Sequence, residues 1–364
     1  MNFLNKTRVW VAVTLIFSVC LAACASLALL DVFVIEHDTD EEIIIESMDF
    51  GTQNSLKETG SKSTGKAASA NKVPSSPNAR PSGSSGNQNN STDASDTELT
   101  NDFIASLAKY ISVTKQVGTH DNEDMSIKLT EKVFEAGSDK TTYYVVDIKL
   151  SSAEHLKTAL ASGNKLTANS TKKVAEMANA QNAVLAINGD GCGQSKRTTG
   201  YVVRNGVTYR STARSSSGDT ESLVIFADGS MSIIDERKTA LDSLENKWQV
   251  FSFGPALINN GAITVTEKQE ISGQSMADNP RTAIGMVEPL HYVIIVGNGR
   301  TNDSKGLTLY QLAEALAYEG CTVGYNLDGG GSSTLWFKGE IINFPTTNGR
   351  YSERAVSDIV YFGA

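Results

Sequence analysis

Three consecutive glycines, Gly329, Gly330 and Gly331, stand between two apolar runs and constrain this chain more than any other stretch. The run Val323–Leu327 leads into Asp328, and the run Thr334–Phe337 follows Ser332–Ser333. Glycine loses more backbone entropy on folding than any other residue, so three in a row indicate a left-handed turn or the close approach of a ligand. Successive backbone N–H groups in such a loop can form an anion-binding concavity, and serine hydroxyls add donors. The stretch therefore predicts a loop that holds an anionic group beside the Asp328 carboxylate.

Three further loops repeat this arrangement, in which a predicted strand ends and a glycine lies close to its end. Binding sites commonly gather at loops that follow strand ends, so we expect these segments to lie near the triple glycine. They are Asn188–Asp190, Gly254–Pro255 and Gly297–Arg300.

Two arginines stand at the start of predicted strands. Arg281 opens one strand, and Arg354 comes just before the last strand. The planar guanidinium group binds phosphate or carboxylate through paired hydrogen bonds, which fits a site for an anion. Each feature also has an ordinary structural interpretation. Asp190 fits an Asx turn, and Arg354 could pair with its neighbour Glu353.

Hydrophobic periodicity predicts an α+β fold with mixed sheets and a few packed helices in one globular domain. Three helices are expected: a lead-in helix across 103–111, a helix capped by Ser170 or Thr171 that runs to Ala180, and a helix that opens with a capping box at Thr308. Strands are expected at 126–134, 143–150, 183–187, 249–253, 281–287, 292–296 and 355–362, with hairpin turns at Asn205–Gly206, Asp228–Gly229 and Asn260–Gly261.

The N-terminal segment predicts export of the rest of the chain. Lys6 and Arg8 precede an apolar run across 9–30, and about 20 such residues suffice to span a bilayer. The basic flank before this run and the acidic cluster after it place the N-terminus inside and the remainder outside. We expect residues 1–35 to form a cytoplasmic tip and an uncleaved signal anchor. A cleaved signal peptide and a lipoprotein anchored at Cys24 are the alternatives, and both also export the domain.

The next segment, 36–99, predicts a tether. An acidic juxtamembrane stretch at 36–50 is followed by Ser-, Gly- and Asn-rich sequence that contains no aromatic, Ile, Leu or Met residue across 61–98. Such a composition cannot bury enough apolar surface to offset the entropy of ordering. We therefore expect a disordered linker, with the folded domain at 100–364.

Net charge and the spacing of histidines and cysteines limit the partners and metal sites that the chain can have. The formal net charge of −9 argues against nucleic acid as the main partner. The four histidines show no ligand spacing, so no metal or cofactor is expected, with Ca²⁺ between Asp328 and Asp190 as the alternative. Cys192 and Cys321 fit either a disulfide of an exported domain or two separate buried thiols.

Two common enzyme motifs are excluded by the sequence. No Gly-Lys-Ser/Thr follows the triple glycine, which rules out a nucleotide loop of the Walker type. No nucleophile-elbow pattern occurs either. Ser332 or Ser333 as a covalent nucleophile would lack a histidine nearby in sequence to activate it.

The octapeptide Asn326–Ser333 resembles the hallmark of the phosphodiester glycosidase family. That family includes a lysosomal enzyme that removes N-acetylglucosamine from a sugar phosphodiester and many bacterial exopolysaccharide-associated proteins. Shorter matches lie in the family's order at 186–189, 254–257, 280–285, 299–300 and 353–354, and the resemblance covers about residues 125–364. Two departures touch the expected pocket: Asp190–Gly191–Cys192 stands where the family often has Gly-Phe-Phe, and Asn298 replaces an Asp. The resemblance therefore leaves the substrate open.

The resemblance implies cleavage of the bond between a sugar C1 and the oxygen of a phosphodiester. The leaving phosphate monoester is a weak base, so a strong general acid matters less than in ordinary glycosides. Asp328 and Asp190 would supply the two carboxylates, one activating water or acting as nucleophile and the other stabilising positive charge. Asn188 would bind sugar hydroxyls. The phosphate would be held by Arg281, Arg300, Arg354, Gly329, Gly330, Gly331, Ser332 and Ser333.

We therefore expect an extracellular hydrolase, anchored in a bacterial cell membrane by a single span, that acts on a sugar-1-phosphodiester in cell-wall or exopolysaccharide glycan. The alternative is a non-catalytic module that binds anionic glycan at the cell surface. The carboxylates discriminate between the two, because a pure anion binder gains nothing from Asp190 and Asp328 beside its phosphate.

Overall fold

The computed structural model describes residues 97–215, 219–267, 278–347 and 349–363, which fall within one compact unit. The predicted signal anchor, the lipoprotein alternative at Cys24 and nearly all of the predicted tether lie outside these residues. Within the described ranges, no helix has the length and apolar character needed to cross a bilayer.

The described residues form mostly strands, with three α-helices, which confirms the α+β prediction. The helices are α1 (Asn101–Leu107), α2 (Val174–Ala180) and α3 (Leu309–Tyr318). The strands are β1 (Thr97–Glu98), β2 (Ile111–Asp121), β3 (Met125–Ala136), β4 (Asp139–Leu150), β5 (Leu156–Leu160), β6 (Ala183–Asn188), β7 (Val202–Arg204), β8 (Val207–Arg210), β9 (Glu221–Phe226), β10 (Met231–Asp235), β11 (Lys247–Phe251), β12 (Ala256–Asn259), β13 (Ala262–Ile263), β14 (Arg281–Glu288), β15 (His291–Gly297), β16 (Val323–Asn326), β17 (Leu335–Phe337), β18 (Glu340–Ile341), β19 (Thr346–Thr347), β20 (Arg350–Tyr351) and β21 (Asp358–Gly363).

These strands form three sheets and one ribbon. The first sheet has the order β1-β13-β12-β16-β14-β15-β4-β3-β2, the second β10-β9-β11-β7-β8 and the third β18-β17-β6-β21-β5, while β19 and β20 pair with each other. The strand pairs of the described residues are all antiparallel. The sheets therefore combine strands from distant parts of the chain, but they do not combine parallel with antiparallel pairs.

The main core lies between the first sheet and the two smaller sheets. Successive residues of β15 point to opposite faces, so Tyr292 and Ile294 join this core, whereas Val293 and Ile295 join a second core beneath α3. A third cluster packs α2 against the outer face of the third sheet through Val174, Met177 and Ala178. Because both faces of the first sheet are covered, its central strands read as continuous apolar runs.

Turn predictions that rest on local chemistry are confirmed. Asn205–Gly206 and Asn260–Gly261 both have positive φ at their two residues, as the tight hairpin turn requires, and Asp228–Gly229 joins β9 to β10. The capping box at Thr308 is present, with Gln311 as its partner.

Two helix boundaries differ from the sequence prediction. The lead-in helix ends at Leu107, and Ile111 instead opens β2 by pairing with Phe134. Neither Ser170 nor Thr171 caps α2, because Lys172 is held extended by two backbone hydrogen bonds to Val356.

Helix α2 therefore begins after Lys173, whose side chain makes no cap. The N–H group of Ala175, in the first turn, donates to Glu353 at 3.2 Å. Glu353 thus serves this helix rather than its neighbour Arg354.

The two cysteines of the domain are separate thiols. Cys192 and Cys321 are both 1% exposed and unpaired with each other, which excludes the disulfide alternative for this structure. Burial raises the pKa of each thiol well above its usual value, so both groups are protonated.

Candidate active site

Several strand ends meet at one edge of the first and third sheets. In the first sheet, Arg281 at the start of β14 pairs with Gly297 at the end of β15, and Asn326 ends the neighbouring strand β16. In the third sheet, Asn188 at the end of β6 pairs with Ile359 near the start of β21. These antiparallel pairings therefore bring the loops that follow β6, β15 and β16 to the same edge, as the sequence predicted.

The triple glycine forms a tight turn directly after β16. Residues Gly330–Ser332 make one turn of 3-10 helix, and Gly330 has a φ of +60°, a conformation that favours glycine. The N–H groups of Ser332 and Ser333 donate to carbonyls within the turn, and that of Gly330 donates to the Pro280 carbonyl at 2.8 Å. The predicted anion-binding concavity of backbone N–H groups is therefore wrong for these three donors, which are used internally.

Each glycine of the turn lies near a different arginine. A Cβ atom on Gly329 would lie 3.9 Å from the Cδ atom of Arg281, one on Gly330 would lie 3.0 Å from Nη2 of Arg300, and one on Gly331 would lie 3.5 Å from the Cβ atom of Arg354. Of these three distances, only the one at Gly330 is shorter than ordinary van der Waals contact. The nearest atoms to a Cβ on Gly329 and Gly331 are instead the Pro280 carbonyl oxygen at 3.0 Å and Oγ1 of Thr347 at 2.6 Å. Three arginines thus lie close to one turn, and the missing side chain of Gly330 leaves room for Arg300.

Asp328 lies between this turn and Arg354. Its Oδ2 atom accepts a hydrogen bond from the Ser332 hydroxyl at 2.7 Å and one from Nη2 of Arg354 at 3.1 Å. Nε of Arg354 also donates to the Ser332 hydroxyl at 2.9 Å. The Asp328 side chain is 13% exposed and that of Arg354 is 46% exposed. A ligand can therefore reach the arginine and, beside it, the edge of the carboxylate.

Two further arginines place positive charge behind the turn. Arg281 is 6% exposed, and its Nε atom donates to the Leu307 carbonyl at 3.1 Å. Burial and the nearby charge of Arg300 lower the pKa of Arg281 to about 10, against the opposing effect of Asp278, so it remains protonated at neutral pH. Arg300 is held by two hydrogen bonds to Asn279 Oδ1. Positive charges that disfavour each other are relieved by a bound anion.

Asn188 does not face a ligand. Its side chain is fully buried, its Nδ2 atom donates to the Asp328 carbonyl at 2.6 Å, and its Oδ1 atom accepts from the Thr282 hydroxyl and the Thr334 N–H. The predicted contact with sugar hydroxyls is therefore wrong in this structure. Asn188 instead fixes the backbone of Asp328 across the boundary between the first and third sheets.

Asp190 belongs to a buried ion cluster, which we define as Asp190, Arg204 and Asp358. Nη2 of Arg204 lies 2.7 Å from Asp190 Oδ1 and 3.0 Å from Asp358 Oδ2. The second oxygen of Asp190 accepts from the Ser252 N–H at 2.8 Å. With 1% exposure and both oxygens occupied, Asp190 is not placed to meet a substrate, contrary to the sequence prediction.

The pKa values of the two carboxyl groups in this cluster are shifted in opposite directions. Burial alone would raise the pKa of Asp190, but the charges of Arg204 and Arg197 lower it below its usual value. Burial raises the pKa of Asp358, and the negative charge of Asp190 raises it further. Asp358 also accepts hydrogen bonds from the N–H groups of Asp190 and Gly191, so the cluster fixes the loop that follows β6.

Asp328 and Asp190, the two carboxylates of the alternative Ca²⁺ prediction, have different partners. Asp328 pairs with Arg354, whereas Asp190 pairs with Arg204. Asp190, Cys192 and Asp358 do bring three ligand atoms within 4.8 Å of one another, but Arg204 already supplies the positive charge there. This geometry does not support the Ca²⁺ alternative.

Ser333 is also buried rather than exposed to a ligand. Its carbonyl accepts a hydrogen bond from Asn343 at 2.9 Å, and its side chain has no exposed surface. Ser332, with 1% exposure, acts between Asp328 and Arg354 as described. The expected direct contact of both serines with phosphate is therefore not what the structure presents.

Two residues close to this site, Gln194 and Thr347, are not predicted from the sequence. Gly191 has a φ of +69°, and a Cβ atom on it would lie 3.5 Å from Asp328 Oδ2 and 2.6 Å from Nε2 of Gln194, which is exposed. Thr347 would meet a Cβ atom on Gly331 at 2.6 Å. Nothing in the sequence marked Gln194 or Thr347, and Arg204 was hidden within a hairpin strand.

Comparison with known proteins identifies the family of the chain. A family model described as phosphodiester glycosidase matches residues 181–363, which are 183 of the 364 residues. An uncharacterised SPbeta prophage-derived protein, YomE, of Bacillus subtilis is 31% identical over 172 residues, covering 47% of this chain and 27% of its own length. N-acetylglucosamine-1-phosphodiester alpha-N-acetylglucosaminidase is 29% identical in mouse over 117 residues and 30% identical in human over 101 residues. These matches cover 29% and 25% of this chain.

The chain spans about a quarter of the length of these curated relatives: 27%, 22% and 19%. Among solved structures, the catalytic domain of zebrafish N-acetylglucosamine-1-phosphodiester alpha-N-acetylglucosaminidase, auto-inhibited by its pro-peptide, aligns with a TM-score of 0.55 at 18% identity. That alignment covers 75% of this chain and 96% of the zebrafish chain, so the two share a fold. Because the family model spans half of the sequence and includes Arg281, Arg300, Asp328 and Arg354, the chain belongs to the phosphodiester glycosidase family.

Proposed function

We propose that this protein hydrolyses the glycosidic bond of a sugar-1-phosphodiester. The observation that carries the proposal is one partly exposed carboxylate, Asp328, beside a turn enclosed by Arg281, Arg300 and Arg354. Membership of the phosphodiester glycosidase family supports the same reaction class.

The arginines are suited to the phosphate. Arg354 is exposed and can hold a phosphate oxygen through a charge-assisted hydrogen bond while it keeps its contact with Ser332. Arg300 lies against Gly330 on the other side of the turn. Buried Arg281 adds positive charge that water screens weakly.

The carboxylate is suited to the sugar. The bond from C1 to the phosphate oxygen breaks with its electron pair on the phosphate, which leaves as a monoester. A water oxygen then bonds to C1 and gives up one proton. Asp328 either accepts that proton or first bonds to C1 as a nucleophile, and the anomeric form of the fresh product, read by proton NMR, distinguishes these routes. Asp190 is assigned to holding the loop beside Asp328 rather than to the reaction.

The Asp328–Arg354 ion pair also favours a second candidate, a non-catalytic module that binds anionic glycan. An ion-paired carboxylate can orient an arginine without taking part in any reaction. In this case the wild-type protein would bind a sugar phosphodiester but would not turn it over.

The test is an assay of the full chain with the methyl diester of N-acetylglucosamine 1-phosphate, following release of methyl phosphate. Asp328→Asn, which keeps the side chain's shape, should lower kcat by about 10²- to 10⁴-fold. Asp121→Asn, on exposed β2, is the matched control and should behave as wild type. Wild-type-like turnover by Asp328→Asn, with unchanged thermal stability, would remove Asp328 from the mechanism.

We further propose that the reaction takes place outside a bacterial cell, on cell-wall or exopolysaccharide glycan, with the chain held in the membrane by its apolar N-terminal run. The basic flank of that run and the acidic residues after it support this orientation. Protease added to intact cells should cleave the domain of an epitope-tagged chain. Protection until the cells are lysed would contradict the proposed location.

A further inference from the structure

A cavity beside helix α3 is separate from the candidate active site. Its volume is about 290 Å³, and its lining includes Tyr110, Phe134, Tyr310, Glu267 and Glu314. Pockets for small molecules run from about 300 to 1,000 Å³, so this one, which we call the α3 cavity, suits a small ligand. The residues that line it are not those described around the glycine turn.

The α3 cavity has an aromatic wall. Tyr110, directly before β2, stacks on Phe134 of β3, with the ring centroids 5.9 Å apart and the planes 11° from parallel. The ammonium group of Lys109, which is exposed, lies 4.6 Å from the centroid of the Tyr110 ring. Aromatic rings attract cations through the negative potential of their faces, and this wall already holds one ammonium group at its outer side.

Two carboxyl groups face the same cavity. Glu314 lies on α3, and Glu267 follows β13. Across the part of the chain that the structure describes, neither takes part in an ion pair. Burial, followed by the charge of Glu267, raises the pKa of Glu314 to about 7, with Lys109 opposing. Two negative charges that disfavour each other are stabilised by a cation that binds between them.

The same lining argues against an anion. Thr308 and Gln311, at the N-terminal end of α3, also line the cavity, but they satisfy each other. The N–H group of Gln311 donates to the Thr308 hydroxyl at 3.1 Å, and the N–H group of Thr308 donates to Oε1 of Gln311 at 3.0 Å. These two donors are therefore not available to an anion, which the two carboxylates would also repel.

A bare metal ion fits the lining less well than an organic cation does. Ca²⁺ needs about six to eight oxygen ligands around it, and aromatic rings supply none. An organic ammonium ion uses both kinds of wall, because carboxylates balance its charge while aromatic rings pack against the carbon groups that carry it.

We propose that the α3 cavity binds a small organic ammonium ion from solution, with its charge near Glu314 and Glu267 and its carbon groups against Tyr110 and Phe134. This inference does not depend on the proposed hydrolysis, since the cavity is separate from the glycine turn.

Calorimetric titration of the full chain with choline and with ethanolamine at pH 8 tests the proposal. The control ligand is 3,3-dimethylbutan-1-ol, which has the shape of choline without its charge, and choline should bind at least about 10-fold more tightly. Glu314→Gln and Tyr110→Leu should each weaken choline binding by about 3- to 10-fold, whereas Tyr110→Phe, which keeps the ring, should bind as wild type does. Glu340→Gln, on exposed β18, is the matched control for loss of a carboxylate and should change nothing.

Lys109→Met gives a prediction of the opposite sign. It removes a positive charge that competes with the ligand, so choline should bind about 2- to 3-fold more tightly. Thermal melting shows whether each variant is folded. Glu314→Gln keeps the shape of its side chain, so it decides the proposal if Tyr110→Leu does not fold.

The proposal is overturned if wild type binds neither choline nor ethanolamine, or if the uncharged alcohol binds as tightly as choline. Wild-type affinity for choline in folded Glu314→Gln would place the ligand elsewhere and would equally contradict it. Binding of CaCl₂ that is tighter than that of choline and unchanged in Tyr110→Leu would identify a metal site instead.

Discussion

The space beside the glycine turn explains why it consists of residues without side chains. Gly330 has a positive φ and leaves room for Arg300, whereas Gly329 lies against the Pro280 carbonyl and Gly331 lies against the Thr347 hydroxyl. The three arginines near the turn carry the positive charge, and the absence of side chains in the turn leaves room for its neighbours.

Gly330→Ala should therefore lose activity for a steric reason that can be separated from backbone strain. Gly137, in the β3–β4 turn, has a φ of +64°, close to the +60° of Gly330, but a Cβ atom there would meet nothing within 4 Å. Alanine at either position should cost about 1–2 kcal/mol of unfolding free energy from the left-handed backbone. Only Gly330→Ala should also displace Arg300 and raise KM.

Urea unfolding and steady-state kinetics of the two variants provide the measurement. Equal KM values in Gly330→Ala and Gly137→Ala would show that Arg300 has no place in binding.

The sequence predicted the arginines of the candidate site better than its polar residues. Arg281 and Arg354, which the sequence places at strand starts, and Arg300, which follows a glycine, do lie near the turn. Polar side chains in glycine-rich loops and the family resemblance predict ligand contacts for Asn188, Asp190 and Ser333, yet all three are fully or almost fully buried. Burial depends on strands that lie far away in the chain, so residue type alone could not separate a buried hydrogen-bonding group from an exposed one.

At the scale of elements, local chemistry determines turns and caps, whereas pairing with distant strands determines where elements start. The Asn-Gly hairpins and the Thr308 capping box need only neighbouring residues, and sequence predicted them. The start of α2 depends on Lys172 pairing with Val356, 184 positions later, and on Glu353 meeting Ala175. Such contacts leave no local pattern.

Helix α3 carries a carboxyl group whose protonation should influence stability. Glu314 lines a cavity of about 290 Å³ together with Tyr110, Phe134 and Glu267. Burial, followed by the charge of Glu267, raises the pKa of Glu314 to about 7, with Lys109 opposing. The folded state therefore holds this proton more tightly than the unfolded chain, and the free energy of unfolding falls as pH rises from about 4.5 to about 7.

Glu314→Gln replaces the titrating carboxyl group by a neutral amide and so removes this decrease in the free energy of unfolding. The variant should be more stable than wild type by about 1–2 kcal/mol near pH 8, after allowance for partial exposure, and no more stable near pH 4. Urea unfolding at the two pH values gives the measurement. A stability difference that is the same at both pH values would contradict the raised pKa.

At the scale of the whole molecule, the buried ion cluster joins the two smaller sheets. Arg204 ends β7 in the second sheet, while Asp358 begins β21 in the third, and Asp190 follows β6. All three side chains are at most 2% exposed. Their ion pairs therefore act at the centre of the domain and below the site rather than at its surface.

Arg204→Met should destabilise the domain by about 3–5 kcal/mol, because it leaves two carboxyl groups buried without their positive partner. Arg237→Met is the matched control, since Arg237 pairs with Asp235 in the same sheet at 2.9 Å but is 51% exposed. That variant should change stability little. Similar urea midpoints for the two variants would show that the buried cluster does not hold the sheets together.

Strand β21 comes last of the strands along the chain, yet it lies inside its sheet, with β6 on one side and β5 on the other. It also brings Asp358, without which Arg204 has only part of its negative surroundings. During synthesis, β6 can pair with β17, but neither β5 nor the second edge of β6 can pair with β21 until this segment has left the ribosome. Arg354 and Asp358 both lie near the end of the domain, so the candidate site is assembled only when nearly the whole domain has been made.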